Sequence, residues 1–423
     1  MMFSLNSRRR LSLAYVAIGL LLSLFYSFSA QAQSQAVGLE RLPELAKMPS
    51  AGLLLMDSKN QPWKYKAQSE MFVPASTTKL VTAFLALSHW GEHHRFKTDF
   101  YLGHRNGQVV LWVKGYGDPF LISEELQLVA EQLKKRLAES GIDKIDAIAL
   151  DNGYFSEHLI LPGTGQSDNP YDAIPSAIAA NFNTLNLKKV NGRVISAEEQ
   201  TPLTATAKRL GKTMTQSELR FNTGAEPKVG QTYFAELLAE FLRGQGIQVG
   251  GQVIYQAVDN SLPLLYRHFN SHDLADIIRP MMKYSTNFIA NQLALKLSAE
   301  LYGAPADEKK VARMFAQQLQ RHFDWQEAFI EDGAGLSRNN RLSPQQLIEV
   351  LEVFRPWKHL LPEVEAHVYA KSGSLIGVSA LAGYIEHRQN WLPFVVMINQ
   401  QVPYYHYRNK VASVLSQEIW AQQ

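Results

Sequence analysis

The chain of 423 residues contains no cysteine. A thiol nucleophile, disulfides and thiolate-held metals are therefore excluded. It also lacks a glycine-rich phosphate loop. Gly115-Tyr116-Gly117 has neither the third glycine nor the following helix that such a loop requires. There is no fixed-period repeat and no low-complexity segment. What is present is ordinary globular composition, 46% hydrophobic and 19% charged, enough to build a sizeable core. The length predicts two or three domains, or one domain with a large insertion.

The formal net charge of +3 has a local source. Arg8, Arg9 and Arg10 precede an apolar run over 11–25, and Ala30-Gln31-Ala32 matches a small-x-small cleavage site. Residues 1–32 thus read as a cleaved signal peptide, in preference to a retained anchor or a twin-arginine signal. They hold three arginines and no acid, so Lys+Arg falls from 42 to 39 against 39 Asp+Glu. A neutral mature protein gives no reason to expect nucleic-acid binding. The C-terminal helix candidate is too short and mixed to predict strong membrane association. Export without cysteine suits a periplasmic location.

Short strands are expected over 52–56 and 63–65, then a buried helix over 76–87. Asn106-Gly107 marks a hairpin between strand-like 100–102 and 109–113. An amphipathic helix over 126–139 leads to a strand over 147–150. Residues 156–171 read as a long loop, and short strands continue to about 263. Helical patterning returns over 274–282 and 287–301. Strands over 379–385 and 394–398 and a helix over 411–420 close the chain. This order predicts an α/β (α+β) fold: 33–95 and 265–423 form one domain from both chain ends, and 96–264 form a β-rich insertion.

Two short motifs occur once each. Ser76-Thr77-Thr78-Lys79 is the only Ser-x-x-Lys. On a helix, positions i and i+3 share a face, so the lysine amine reaches the serine hydroxyl. A serine is a poor nucleophile until a neighbour takes its proton. Lysine does so when burial and a second cation depress its pKa. Lys371-Ser372-Gly373 is the only Lys-[Ser/Thr]-Gly. On a strand it offers a cation, a hydroxyl and a close backbone approach to an extended peptide ending in a carboxylate. Lys371 is then also the second cation beside Lys79. Of five Ser-x-Asn candidates, Ser285-Thr286-Asn287 is preferred, because it joins two helical segments and can present both side chains to a cleft. Ser167-Asp168-Asn169 lies in the long loop and is set aside.

These elements, in this order, make a strong signal. The sequence resembles the D-alanyl-D-alanine carboxypeptidase/endopeptidases of the penicillin-binding protein 4 type, low-molecular-mass class C serine peptidases. Val73-Pro74-Ala75-Ser76-Thr77-Thr78-Lys79-Leu80, Gly115-Tyr116-Gly117-Asp118-Pro119 and Asn181-Phe182-Asn183 carry the resemblance. So do Asp332-Gly333-Ala334-Gly335-Leu336-Ser337-Arg338 and Lys371-Ser372-Gly373-Ser374-Leu375 with Gly383-Tyr384. It implies a DD-peptidase/β-lactamase-like transpeptidase domain, an antiparallel sheet flanked by helices. It implies Ser76 as acylated nucleophile, Lys79 as general base, Ser285 as proton relay and Asn287 as holder of the substrate amide. Lys371 and Ser372 would bind the terminal carboxylate, and the N–H groups of Ser76 and Ser374 would form the oxyanion hole. Asp151 and Arg338 would grip the two ends of a diaminopimelate side chain. Peptidoglycan stem peptides and β-lactams are the implied ligands, with no cofactor.

Three positions depart from the family pattern. Ser372 replaces the commoner threonine but keeps the hydroxyl. Ile376 stands where some relatives carry a polar side-chain binder, and Asn291 where an acid is frequent. His89-Trp90-Gly91-Glu92-His93 spells a His-x-x-Glu-His zinc string, but Gly91 interrupts the helical face it needs, and no metal is expected. Two other classes stay open: a serine β-lactamase, and a non-catalytic peptidoglycan-binding protein.

Overall fold

The computed structural model describes residues 36–325 and 327–421, so the signal segment 1–32 lies outside the described residues. The elements begin with α1 (Pro43–Lys47), β1 (Ala51–Met56), β2 (Pro62–Lys66) and α2 (Thr78–Trp90). Next come β3 (Lys97–Arg105), β4 (Gln108–Gly115), α3 (Ser123–Glu139), β5 (Lys144–Asp151), β6 (Thr184–Val190) and β7 (Arg193–Ser196). After α4 (Ala205–Gly211) follow β8 (Glu218–Asn222), α5 (Pro227–Gly244), β9 (Gln248–Tyr255) and β10 (Leu264–Phe269). Four helices then run in succession: α6 (Leu274–Tyr284), α7 (Asn287–Tyr302), α8 (Glu308–Phe323) and α9 (Pro344–Phe354). The chain closes with β11 (Glu363–Glu365), β12 (Val368–Leu375), β13 (Val378–His387), β14 (Asn390–Ile398) and α10 (Tyr407–Trp420).

The strand β1 is apolar throughout and buried at every position. It sends Leu53 and Leu55 into one core and Leu54 and Met56 into another. A strand buried on both faces needs helices on both. β1 sits in a six-stranded antiparallel sheet of order β11-β12-β13-β14-β1-β2. On one face α10 packs Val411, Leu415 and Ile419 against Leu381, Phe394 and Val396. On the other, α2, α7, α8 and α9 supply Leu80, Leu293, Phe315 and Leu351 around Tyr384 and Val395. The expected antiparallel sheet flanked by helices, built from both chain ends, is what forms.

Between β2 and α6 the chain makes two more sheets. One has order β10-β3-β4-β5-β9, with β4, β5 and β9 parallel; the other has order β7-β6-β8. The Asn106-Gly107 hairpin joins β3 to β4 as expected. Besides strands, this region contains α5, absent from the sequence-based expectation. Its Tyr233, Phe234, Leu237, Leu238 and Leu242 pack with Leu126, Leu133 and Leu137 of α3 into a second core. Strand β10 pairs with β3, so this sheet runs past residue 264 to Phe269.

Candidate active site

Asn399, just past β14, holds the segment before the nucleophile. Its Oδ1 accepts the Val73 N–H at 2.7 Å, and its Nδ2 donates to the Val73 carbonyl at 3.2 Å. Ala75 follows with φ of 48°, a left-handed conformation costing a non-glycine residue about 1–3 kcal/mol. A single 3₁₀ turn, Ala75–Thr77, then carries Ser76 and leads into α2. Ser76 therefore stands just ahead of the α-helix rather than within its first turn. The Thr77 hydroxyl closes the turn on the Pro74 carbonyl at 2.7 Å.

Lys79 is fully buried on α2. Its Nζ lies 2.9 Å from Ser76 Oγ, 2.8 Å from Asn287 Oδ1 and 2.8 Å from the Ala334 carbonyl. Burial pushes its pKa well below the ordinary lysine value; Lys371 pushes it the same way, and Asp332 opposes. A neutral amine has two hydrogens and one lone pair. Two fixed acceptors, Asn287 Oδ1 and the Ala334 carbonyl, take the hydrogens. The lone pair is left facing the Ser76 hydroxyl, so the pocket suits lysine as a proton acceptor.

The Ala334 carbonyl is placed by a loop wound around Asp332. This buried carboxylate accepts the N–H groups of Ala334, Leu336 and Ser337 and the side-chain amide of Asn340. Thr82 ties α2 to the same loop through the Gly333 carbonyl at 2.7 Å. Gly335, with φ of 80°, backs onto the nucleophile turn; a Cβ there would stand 1.9 Å from the Ala75 carbonyl oxygen. The Asp332-Gly333-Ala334-Gly335 motif by itself assigns Asp332 no role. An aspartate opening a Gly-Ala-Gly stretch is the available signal for a carboxylate-nucleated loop.

Lys371, Ser372, Gly373 and Ser374 lie on β12, paired with Ala382, Leu381, Ala380 and Ser379 of β13. β11 covers only Val368 and Tyr369, so the strand edge is uncovered from Lys371 onward. Gly373 permits contact with the nucleophile turn: a Cβ there would stand 2.8 Å from the Pro74 carbonyl oxygen and 2.9 Å from the Ser76 nitrogen. Lys371 Nζ donates to the Ser372 carbonyl at 2.7 Å. Burial and then Arg408 push the Lys371 pKa down to about 7. Arg408, on α10, donates to the Gly373 carbonyl at 2.7 Å and to Ser374 Oγ at 2.6 Å. No motif marks Arg408 in the sequence.

Ser285 ends α6 in a left-handed conformation, φ 57°, and Asn287 begins α7. The junction brings Asn287 onto Lys79, while the half-buried Ser285 is bonded to neither Ser76 nor Lys79. Both line a cavity of about 720 Å³ with Tyr171, Phe182, Arg220 and Tyr284. Asn287 Nδ2 donates to the Tyr171 carbonyl at 3.0 Å. The long loop thus reaches the site, which the sequence did not indicate. Ser167 within it turns to Asp172 at 2.5 Å.

Asp151 and Arg338 are not brought together by a mutual contact. Asp151 accepts the N–H groups of Gly153 and Val258 and lines a separate cavity of about 800 Å³. That cavity is lined by none of Ser76, Lys79, Ser285, Asn287 or Lys371. Arg338 is exposed and donates to the Ile376 carbonyl at 2.7 Å, just past β12. The two histidines of the zinc string diverge, His89 to Glu300 and His93 to Asp273.

Comparison with known proteins places the fold and the family. A Haemophilus influenzae protein named D-alanyl-D-alanine carboxypeptidase DacB is 26% identical over 78% of this chain and 81% of its own. A D-alanyl-D-alanine carboxypeptidase of an Actinomadura species is 26% identical over 82% of this chain and 77% of its own. The crystal structure of penicillin binding protein 4 from Haemophilus influenzae superposes with a TM-score of 0.71 at 23% identity, covering 90% of this chain and 99% of that one, which establishes the shared fold. The sequence profile of one family matches residues 34–231 and 213–361, and the chain belongs to that family, the D-Ala-D-Ala carboxypeptidase 3 (S13) family.

Proposed function

We propose that this protein is a serine D-alanyl-D-alanine carboxypeptidase of peptidoglycan, acylated by β-lactams at the same serine. The observation that carries the reading is the buried Lys79 amine, held by two acceptors so that its lone pair faces Ser76. In this reading Ser76 Oγ attacks the carbonyl carbon of the D-Ala–D-Ala bond, and Lys79 takes its proton. The oxyanion is held by the N–H groups of Ser76 and Ser374, a role the approach at Gly373 supports. Ser285 passes the proton held by Lys79 on to the leaving amine, and Asn287, besides holding Lys79, faces the substrate amide. Lys371 and Ser372 take the terminal carboxylate. D-alanine leaves and water hydrolyses the acyl-enzyme. Asp151 and Arg338 are kept as candidate side-chain binders, of which Arg338 stands nearer the strand. The enzyme acts in the periplasm after loss of residues 1–32, and the insertion, which runs on through β10 to Phe269, frames the site. The cavity beside Ser285 and Asn287 favours DD-endopeptidase action as well, because it leaves room for a second strand.

The test is release of D-alanine from a peptide ending in D-Ala-D-Ala by the protein lacking 1–32. Release that disappears in Ser76→Ala supports the reading. Rapid turnover of penicillin without peptide cleavage would favour a β-lactamase. Binding without release would favour a non-catalytic role.

A further inference from the structure

Two buried basic side chains stand close to the nucleophile, and neither pairs with a carboxylate among the described residues. Lys371 is 1% and Arg408 6% exposed. A guanidinium stays charged at any working pH, and a buried charge is normally neutralised by a partner. Arg408 instead spends one nitrogen on the Gly373 carbonyl, Ser374 Oγ and, at 3.5 Å, Ser379 Oγ; its guanidinium lies 5.9 Å from the Tyr405 ring, and its Nε–H is buried with no acceptor among the described residues. Lys371 has only the Ser372 carbonyl. Such an arrangement leaves positive charge without a carboxylate partner among the described residues.

The Ser374 hydroxyl indicates where. Its oxygen accepts from Arg408, so its own hydrogen is free to donate. A hydroxyl that accepts a charge-assisted bond is polarised into a better donor. Ser374 is exposed and, two residues along β12 from Ser372, lies on the same face of the strand.

We propose that Arg408 is a positioning residue for the substrate's terminal carboxylate: it holds the Ser374 hydroxyl as a donor and, with Lys371, supplies the charge that the carboxylate neutralises. The proposal rests on the reading that the D-alanine carboxylate lies at Lys371 and Ser372. It adds a residue 34 positions beyond Ser374, on a different element.

The experiment compares second-order acylation rates for a penicillin and for its carboxylate methyl ester, in wild type, Arg408→Gln and Arg408→Lys, all lacking 1–32. Wild type prefers the free acid. In Arg408→Gln the acid-to-ester ratio falls about tenfold, the scale of one charge-assisted bond. Arg408→Lys recovers part of it. Both rates come from the same folded molecules, so a reduced folded fraction cancels in the ratio; if Arg408→Gln does not fold, Ser374→Ala removes the hydroxyl that Arg408 holds, and an unchanged ratio there overturns the proposal. It is equally overturned if acid and ester slow in parallel, which would mean that Arg408 only shapes the strand. Failure of wild type to react with either ligand would defeat the acyl-enzyme reading itself, and this one with it.

Discussion

Gly373→Ala separates the geometry of the site from the stability of the fold. The added Cβ would lie 2.8 Å from the Pro74 oxygen, 2.9 Å from the Ser76 nitrogen and 3.1 Å from the Thr77 nitrogen. Ordinary contacts to carbon lie at about 3.5–4.0 Å, so β12 must withdraw by roughly 0.5–1 Å. The opposing atoms are backbone, pinned by Asn399 and by the Thr77–Pro74 bond, and cannot yield instead. A displacement of about 1 Å at a reacting centre costs up to about 100-fold in rate. Acylation by a fluorescent penicillin should therefore slow by about 10- to 100-fold, while the protein stays folded. Gly377→Ala is the contrast. Its φ is 71° with nothing within 4 Å, so it should cost about 1–2 kcal/mol of stability and leave acylation within about twofold. Stopped-flow acylation and thermal unfolding measure the two effects. A folded Gly373→Ala protein that acylates at the wild-type rate would refute the packing argument.

Replacing Lys371 with methionine removes the second cation beside Lys79, so the Lys79 pKa rises. Acylation needs the neutral amine, so the ascending limb of its pH profile should move to higher pH; an unmoved limb would contradict the coupling. Asp332→Ala orphans the Ala334, Leu336 and Ser337 N–H groups and should cost about 3–5 kcal/mol in denaturant unfolding, with a loss below about 1 kcal/mol counting against the loop's structural role. Glu125 is buried, which alone would raise its pKa. Hydrogen bonds from His268 and Ser271 outweigh that and hold it at about 2, against 4.5 for a free carboxyl. Its contribution to stability is present above pH 4.5 and is lost as pH falls toward 2; Glu125→Gln should flatten that part of the acid unfolding curve.

The nucleophile, its lysine and the Lys-Ser-Gly strand were legible because each motif packs its chemistry into three or four residues of one element. The influence of Lys371 on Lys79 followed from chemistry alone, since a lysine base needs a reason to lose its proton. The central strands β1, β13 and β14 were legible because each carries a largely apolar run buried on both faces. Helix α5 was not: Val229, Gly230, Thr232, Tyr233 and Phe234 are poor local helix formers, and packing against α3 overrides them. The α9 start was readable in principle, since Ser343 caps the helix, Pro344 is its first residue and Gln346, at the third position, completes a capping box with Ser343. Arg408 and the Tyr171 carbonyl could not be read. One arrives from a distant helix, and the other is a backbone group with no side-chain signature.

The most direct test of the central claim is mass mapping of the penicillin adduct. The protein lacking 1–32 is incubated with penicillin, quenched, digested and sequenced by mass spectrometry. The account predicts one adduct, on Ser76, absent from Ser76→Ala and slowed in Lys79→Met. An adduct on any other residue, or an undiminished adduct in Ser76→Ala, would contradict it.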